Sequence, residues 1–377
     1  MNIKQIRVSG FKSVANVTLD QLTPYSVFAG PNGAGKSNLA DALAFVSVVI
    51  ESGASAAIRR FNGFAQMHCF KFRDKKARTF EFSIDAEIKG EAITYRLKIH
   101  DLDKTPVLEE NLSVAGVIRM ARKKGAPPTL RMPNEDGVDF DEGLIELPNF
   151  PSEMSGLMLM PGFPLYQYLI SVRVFRFDPL GAKTPDDSSS DTSELNPLGH
   201  NVATILEKLE KDPVIRSEIM DWMELIVPGM EKISTEKQHL GGNTVIKFKE
   251  EGTRTNFPAN LISDGTIYAL CIMTAVLSRA KGIGPTFIEE PERGIHPKAI
   301  AQLVELMRAN ATPEHPVFVT THSESVVRAS NKEELWLVNK VDGKTEMKNA
   351  GEQAGDLGGL NLDKAWLMNI FDGGLPW

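Results

Sequence analysis

Cysteine is scarce in this sequence: Cys69 and Cys271 are the only two among 377 residues. Both stand in apolar surroundings and neither has a neighbour at metal-ligand spacing. That excludes a disulfide scaffold and a thiolate metal site, and leaves two buried, reduced thiols. Long apolar runs are missing as well. The longest, 42–50 and 268–277, fall well short of the ~20 residues that cross a bilayer. Residues 1–7 contain no apolar core of a signal peptide, so the expected location is the cytoplasm, with no membrane partner. There is no excess of positive charge. A formal net charge of −7 excludes coating nucleic acid by bulk attraction, although a local basic groove stays open. Internal repeats and sustained heptads are absent, which argues against a long coiled-coil arm.

What is present suits one large or two intimately joined domains. Hydrophobic residues make up 42% and charged residues 24%, enough for a substantial core and too apolar for a disordered chain. The most informative stretch is 26–41. Gly30, Pro31, Asn32, Gly33, Ala34, Gly35, Lys36 and Ser37 fit G-x-x-x-x-G-K-[ST] at every fixed position. Such a loop wraps phosphates with backbone N–H groups, its Lys reaches the β/γ oxygens and its hydroxyl binds Mg²⁺. The context agrees: 25–29 reads as a short buried strand, and from Asn38 onward Leu39, Ala42, Leu43 and Val46 have helical spacing. A phosphate would sit on a helix N-terminus.

Around this loop the periodicity sorts the chain into segments. Residues 3–8 and 14–20 read as a hairpin, and 54–68 as a second helix after Gly53. From 69 to about 120 the period is two, an antiparallel meander with a third run expected over 107–120. Residues 119–131 hold Arg119, Arg122, Lys123, Lys124 and Arg131, followed by an acidic stretch (Glu135, Asp136, Asp139, Asp141, Glu142, Glu146). A solvated loop of mixed charge is the plainer reading, and a phosphate-backbone or partner contact the sharper one. Residues 169–177 have strong strand propensity, 181–196 read as a flexible linker, and 199–226 as a helical hairpin. The last third alternates helix and strand, the mark of α/β layering with parallel strands.

Two apolar strands in that last third end in chemistry. Residues 285–288 run into Glu289, Glu290 and Glu292, and 317–320 run into Thr321, His322 and Ser323. Strand ends of an open parallel sheet face the ligand crevice. One acid there can hold Mg²⁺ or its waters while a second orients or deprotonates an attacking water. Ser263, Asp264 and Gly265 open another helix, with Ser263 as N-cap.

Taken together these motifs resemble an ABC-type ATPase of the RecF/SMC/OLD branch, in particular its small members without coiled coil or Toprim domain. An N-terminal hairpin precedes G-P-N-G-x-G-K-S-N, and Ser263-Asp264-Gly265 resembles the signature motif. Residues 288–297 (I-E-E-P-E-R-G-I-H-P) resemble the Walker B and D-loop stretch, and Thr321-His322-Ser323 the His switch. Glu289 departs from the family's usual Asp. The resemblance implies an α/β fold of the ABC-ATPase P-loop type, with an N-terminal antiparallel β-subdomain, a central mostly parallel sheet and a helical lobe. In a single head spanning 1–377, the nucleotide core would take 1–68 and 231–377, the β-meander 69–180, the linker 181–196 and the lobe 197–230. It also implies ATP and Mg²⁺ as cofactors, with Gly30 through Asn38, Ser263 and Gly265 binding nucleotide. Ser37, Glu289 and Gln66 (as the Q-loop glutamine) would serve the metal, and Glu290 and His322 catalysis.

The same resemblance implies a head-to-tail homodimer with two ATP molecules between protomers, acting with a separate effector protein, with DNA open as a further partner. The expected role is an ATP-hydrolysing switch in DNA repair or anti-phage defence. The alternative is the ATPase regulatory subunit of a toxin–antitoxin or membrane-transport system without DNA contact. An OLD-type nuclease is disfavoured, since roughly 50 residues follow His322, too few for a Toprim domain.

Overall fold

The computed structural model describes residues 1–131, 143, 145–185, 193–238, 243–353, 359–371 and 373–374. Strands β1 (Asn2–Ser9) and β2 (Val17–Asp20) form the expected hairpin, and β3 (Tyr25–Ala29) enters a different sheet. Helix α1 (Lys36–Ser52) follows the Gly-rich loop and stops at Gly53, whose φ of +87° ends it cheaply. The expected single helix over 54–68 is two: α2 (Ala54–Arg60) and α3 (Phe64–Met67). The break is Asn62-Gly63, both in the left-handed region, where a helix cannot continue.

After the short turn α4 (Asp74–Ala77) the chain builds β4 (Phe80–Ile88), β5 (Glu91–His100), β6 (Val107–Val114) and β7 (Val117–Arg122). Phe80, Phe82 and Ile84 of β4 and Tyr95, Leu97 and Ile99 of β5 are buried on one face, as the two-residue period requires. Left-handed pairs Lys89-Gly90 and Ala115-Gly116 make the tight turns. The second of these splits the expected run 107–120 into β6 and β7. With β8 (Thr129–Leu130) and β9 (Ile145–Glu146) the antiparallel sheet reaches eight strands, ordered β2-β1-β4-β5-β6-β7-β8-β9.

The basic segment is only partly a solvated loop: Lys123 and Lys124 stand exposed in the turn after β7, but Arg122 does not. Arg122 is 4% exposed and donates to the carbonyls of Met154 (2.8 Å), Pro151 (2.9 Å) and Ala126 (3.3 Å). Of the acidic stretch, Glu135, Asp136, Asp139, Asp141 and Glu142 lie outside the described residues.

Residues 169–177 also differ from expectation. Pro164 at the first helical position starts α5 (Pro164–Ile170), which buries Leu165, Tyr168 and Leu169 at helical spacing. Only β10 (Arg173–Phe175) is strand. Helix α6 (Pro179–Ala182) follows. The described ends of 181–196 are anchored: Leu195 is buried, and the Asn196 N–H donates to Asn201 Oδ1 at 2.8 Å. Residues 186–192 lie outside the described set.

Helices α7 (Val202–Leu209) and α8 (Pro213–Ile226) form the hairpin expected over 199–226. They pack on a three-stranded sheet of β11 (Met230–Lys237), β12 (Thr244–Glu250) and β13 (Phe257–Pro258), sharing one core through Leu206, Met223, Ile233 and Phe248. Then come α9 (Asp264–Arg279), β14 (Thr286–Glu289), α10 (Pro297–Ala309), β15 (Val317–Thr321), α11 (Glu324–Ala329), β16 (Leu335–Val341) and β17 (Lys344–Asn349), with α12 (Ala350–Gln353) and α13 (Leu362–Leu367) after them.

The second large sheet is ordered β10-β14-β15-β3-β16-β17, parallel throughout except for β17. One core lies between this sheet and α7–α11; a second lies between α1 and the antiparallel sheet, where Phe80 meets Phe11 and Phe45 edge-on. Every described strand of the parallel set runs the same way, so β3, β14 and β15 deliver their C-terminal ends to one edge.

Candidate nucleotide site

At that edge β3 gives way to the Gly-rich loop. Gly30 passes so close to the Val338 carbonyl that a Cβ would overlap it. Gly35 has φ +105°, and a Cβ there would meet the hydroxyls of Thr345 and Ser13. Those two hydroxyls, 2.7 Å apart, brace the loop from behind: Thr345 Oγ1 donates to Ala34 O at 2.8 Å, and Asn38 Nδ2 donates to Ser13 Oγ at 2.7 Å. Glycine is thus needed here both for backbone conformation and for close approach. In the first turn of α1 the Asn38 N–H donates to Gly35 O at 3.1 Å; N–H groups at a helix start, which lack helical partners, favour an anion.

The Lys36 ammonium curls into the loop and donates to Gly30 O at 2.7 Å and Pro31 O at 3.0 Å. Burial pushes its pKa below the ordinary lysine value, against the opposing pull of Glu290, Glu292 and Glu289.

Glu289 ends β14 beside the start of α1. Its Oε2 accepts from Ser37 Oγ at 2.9 Å and its Oε1 from Arg176 Nη2 at 2.7 Å. Arg176 also donates to Asp41 Oδ1 at 2.6 Å, and Lys12 Nζ to Asp41 Oδ2 at 2.6 Å. Burial opposes the Arg176 charge, yet the bonds and charges of Glu289 and Asp41 outweigh it and raise its pKa above the usual range.

Glu290 follows in the left-handed region, φ +50°, rare for a side chain with a Cβ. Such a conformation costs about 1 kcal/mol and clusters at functional sites. The surroundings hold it: the Tyr268 hydroxyl lies 3.0 Å from the carbonyl oxygens of both Glu289 and Glu290, and Glu290 N–H donates to Thr320 O at 2.8 Å.

His322, just past β15, has Nδ1 3.3 Å from Glu290 Oε1 and 3.7 Å from Glu292 Oε1. Glu292 is nearly buried and steadies this corner by accepting from Thr321 Oγ1 at 2.7 Å and from the His322 N–H at 3.3 Å. Burial pushes its pKa up.

Ser263 caps α9, accepting from the Thr266 N–H at 3.2 Å, and is exposed. Gly265 is pressed against the Gly294 carbonyl, where a Cβ would overlap. Among the described residues no hydrogen bond joins Ser263 or Gly265 to the Gly-rich loop of the same chain. Gln66 is exposed on α3, and no side-chain bond ties it to Ser37, Glu289 or Glu290.

Sequence reading passed over Asp41, Arg176, Tyr268 and Lys12. No local signal marks Arg176: its place follows from the pairing of β10 with β14, where Phe175 stands opposite Ile288, so the next residues, Arg176 and Glu289, stand side by side.

Ser37 and Glu289 offer two converging hard oxygens beside a phosphate-binding loop, which fits Mg²⁺ arriving on a nucleotide. Among the described residues no group of three His, Cys, Asp or Glu could enclose a metal by itself.

A family model described as "AAA domain, putative AbiEii toxin, Type IV TA system" matches residues 26–119 and 132–328, which take in the loop and both acidic and His strand ends. The chain belongs to this family. Among curated proteins this family member is similar to an "ATP/GTP phosphatase" of Helicobacter pylori (strain ATCC 700392 / 26695), 20% identical over 342 residues covering 86% of each chain. Among solved structures it is similar to an SMC head bound to the C-winged helix domain of ScpA, with TM-score 0.58, 15% identity, and 97% of this chain and 100% of that one covered. It is also similar to an Smc head domain with an extended coiled coil, bound to the C-terminal domain of ScpA derived from Pyrococcus furiosus. There the TM-score is 0.53 and the identity 14%, over 97% and 98% of the two chains. The family member is an ATP-hydrolysing enzyme of the ABC type, with the SMC-head fold. No helix among its described residues is long and apolar enough to cross a membrane.

Proposed function

We propose that this ATPase is a switch: two copies close head to tail around two ATP molecules, and hydrolysis lets them part. The observation that supports this reading best is the division of the site. The loop, Glu289, Glu290 and His322 share one edge of the parallel sheet, while Ser263 stands exposed at the start of α9 without a bond to that loop. A second copy, turned about a two-fold axis, would bring its Ser263 and the helix start behind it to the γ-phosphate.

In this reading the N–H groups and side chains of Gly30 through Asn38 cradle the phosphates, and Lys36 swings from its carbonyl contacts to the β/γ oxygens. Ser37 and Glu289 would hold Mg²⁺, which screens phosphate charge when bound. Glu290 takes a proton from the attacking water, and His322, within 3.3 Å of it, orients that water or the γ-phosphate. Glu292 and Thr321 keep His322 in place. Gln66 is assigned a weaker part, contact with the metal's waters. ATP then acts as interface glue.

The switch would act on a separate effector, with DNA as a further candidate partner, in repair or anti-phage defence in the cytoplasm. The family's description, a toxin of a type IV system, favours a second reading as one half of a toxin–antitoxin pair. Induced expression separates the two: growth arrest that needs Lys36 supports the toxin reading, and phage resistance without arrest supports defence. The relative's name makes GTP a substrate to assay beside ATP. Phosphate release that is independent of Mg²⁺, or unaffected by Glu290→Gln, would overturn the catalytic assignments.

A further inference from the structure

We propose that Arg176 is a positioning residue that adapts the metal site to glutamate at position 289. The inference rests on the reading that Ser37 and Glu289 hold the metal. A glutamate carries one methylene and one rotatable bond more than an aspartate, so its carboxylate reaches further and is less fixed. Here both of its oxygens are held from opposite sides. Ser37, from the first turn of α1, donates to Oε2, and Arg176, from the end of β10, donates to Oε1.

The guanidinium is itself fixed. Its Nη2 bridges Glu289 and Asp41 at 2.7 and 2.6 Å, and Asp41 is in turn held by Lys12. The four charges alternate in sign and come from four places: the loop after β1, helix α1, the end of β10 and the end of β14. Exposed ion pairs usually contribute little because two long side chains must be ordered in water. This row is half-sheltered: the Arg176 side chain is 45% exposed, but the Asp41 and Glu289 side chains it bridges are each only 14% exposed. The parallel register of β10 and β14 also sets Arg176 beside Glu289 at the backbone level. Arg176 therefore turns Oε2 toward Ser37 and supplies the rigidity that the longer side chain lacks.

The test measures retention of a fluorescent ATP analogue by the full chain as Mg²⁺ is titrated, in a Glu290→Gln background that suppresses hydrolysis. Arg176→Gln is expected to raise the half-saturating Mg²⁺ concentration about tenfold, the usual scale for losing a group that orients a metal ligand. Binding should be regained at saturating Mg²⁺. Arg176→Lys, which keeps the charge on an arm one bond shorter and without the planar guanidinium, is expected to fall between, and carries the test if the Gln variant melts before binding is measured. In a Glu289→Asp background the same replacement should change the midpoint less than about twofold, because the shorter arm no longer depends on the clamp. An unchanged or lowered midpoint for Arg176→Gln, or an equal shift in both backgrounds, would overturn the proposal. A parent protein that binds the analogue with no Mg²⁺ dependence would instead sink the metal assignment on which it rests.

Discussion

The Nδ1 of His322 stands 3.3 Å from Oε1 of Glu290, although the two residues end different strands. β14 and β15 are adjacent and parallel, with Glu289 opposite Thr320, so the residue after each strand projects from the same edge. Glu290 is held there in a left-handed conformation by Tyr268 and Thr320, with His322 as its neighbour. Replacing Glu290 by Gln keeps shape and removes the base proposed above. Steady-state phosphate release should fall about 10²- to 10³-fold, while filter-bound nucleotide is retained. Wild-type turnover in that variant would remove Glu290 from the chemistry.

Lys36 donates two bonds to carbonyls of its own loop, contacts that a phosphate can replace with stronger, charge-assisted ones. Lys36→Ala should weaken ATP binding by roughly 100-fold, about 3 kcal/mol, as measured by equilibrium titration. The melting temperature without nucleotide should move little by comparison.

Gly265 packs the start of α9 on the Gly294 carbonyl with no room for a methyl group. Gly265→Ala should cost about 1–3 kcal/mol by overpacking, read from denaturant midpoints. Gly33, which has open space around it, offers a contrast: alanine there meets only the strain of φ +78°.

Much of this site could be read from the sequence because each part is local. The Gly-rich loop, the apolar runs ending at Glu289 and His322, and the Ser263 cap each announce themselves within a few residues. What could not be read depends on which strands become neighbours. Arg176 acquires meaning only once β10 lies beside β14, and Asp41 only once Lys12 and Arg176 converge on it. The fold departures have local causes that other signals outweighed. Asn62-Gly63 interrupts 54–68. Pro164 starts a helix that uses Leu165, Tyr168 and Leu169 before the β-rich run can begin. Arg122, grouped by charge with a surface loop, instead turns inward to three backbone carbonyls.

The buried His315 gives the fold a pH dependence of definite sign. Its Nε2 lies 2.8 Å from Thr286 Oγ1 at the foot of β14, and burial, then the Arg279 charge, pushes its pKa from 6.5 down to about 4. Above pH 6.5 the ring is neutral in both states and stability is full. Between pH 6.5 and 4 the unfolded chain takes up a proton that the folded chain refuses, so stability falls with falling pH, by about 3 kcal/mol in all. Denaturation midpoints of His315→Gln should show a shallower slope over that window, and an unchanged slope would assign the acid sensitivity elsewhere.

Closure of two copies around ATP is tested most directly by multi-angle light scattering of the Glu290→Gln protein, with Mg²⁺ and with or without ATP. The expected result is a shift from the 41.5 kDa mass of one chain toward twice that mass on adding ATP, abolished by a bulky replacement at Ser263 such as Ser263→Arg. A mass that ATP leaves at one chain, with nucleotide demonstrably bound, would contradict the shared site.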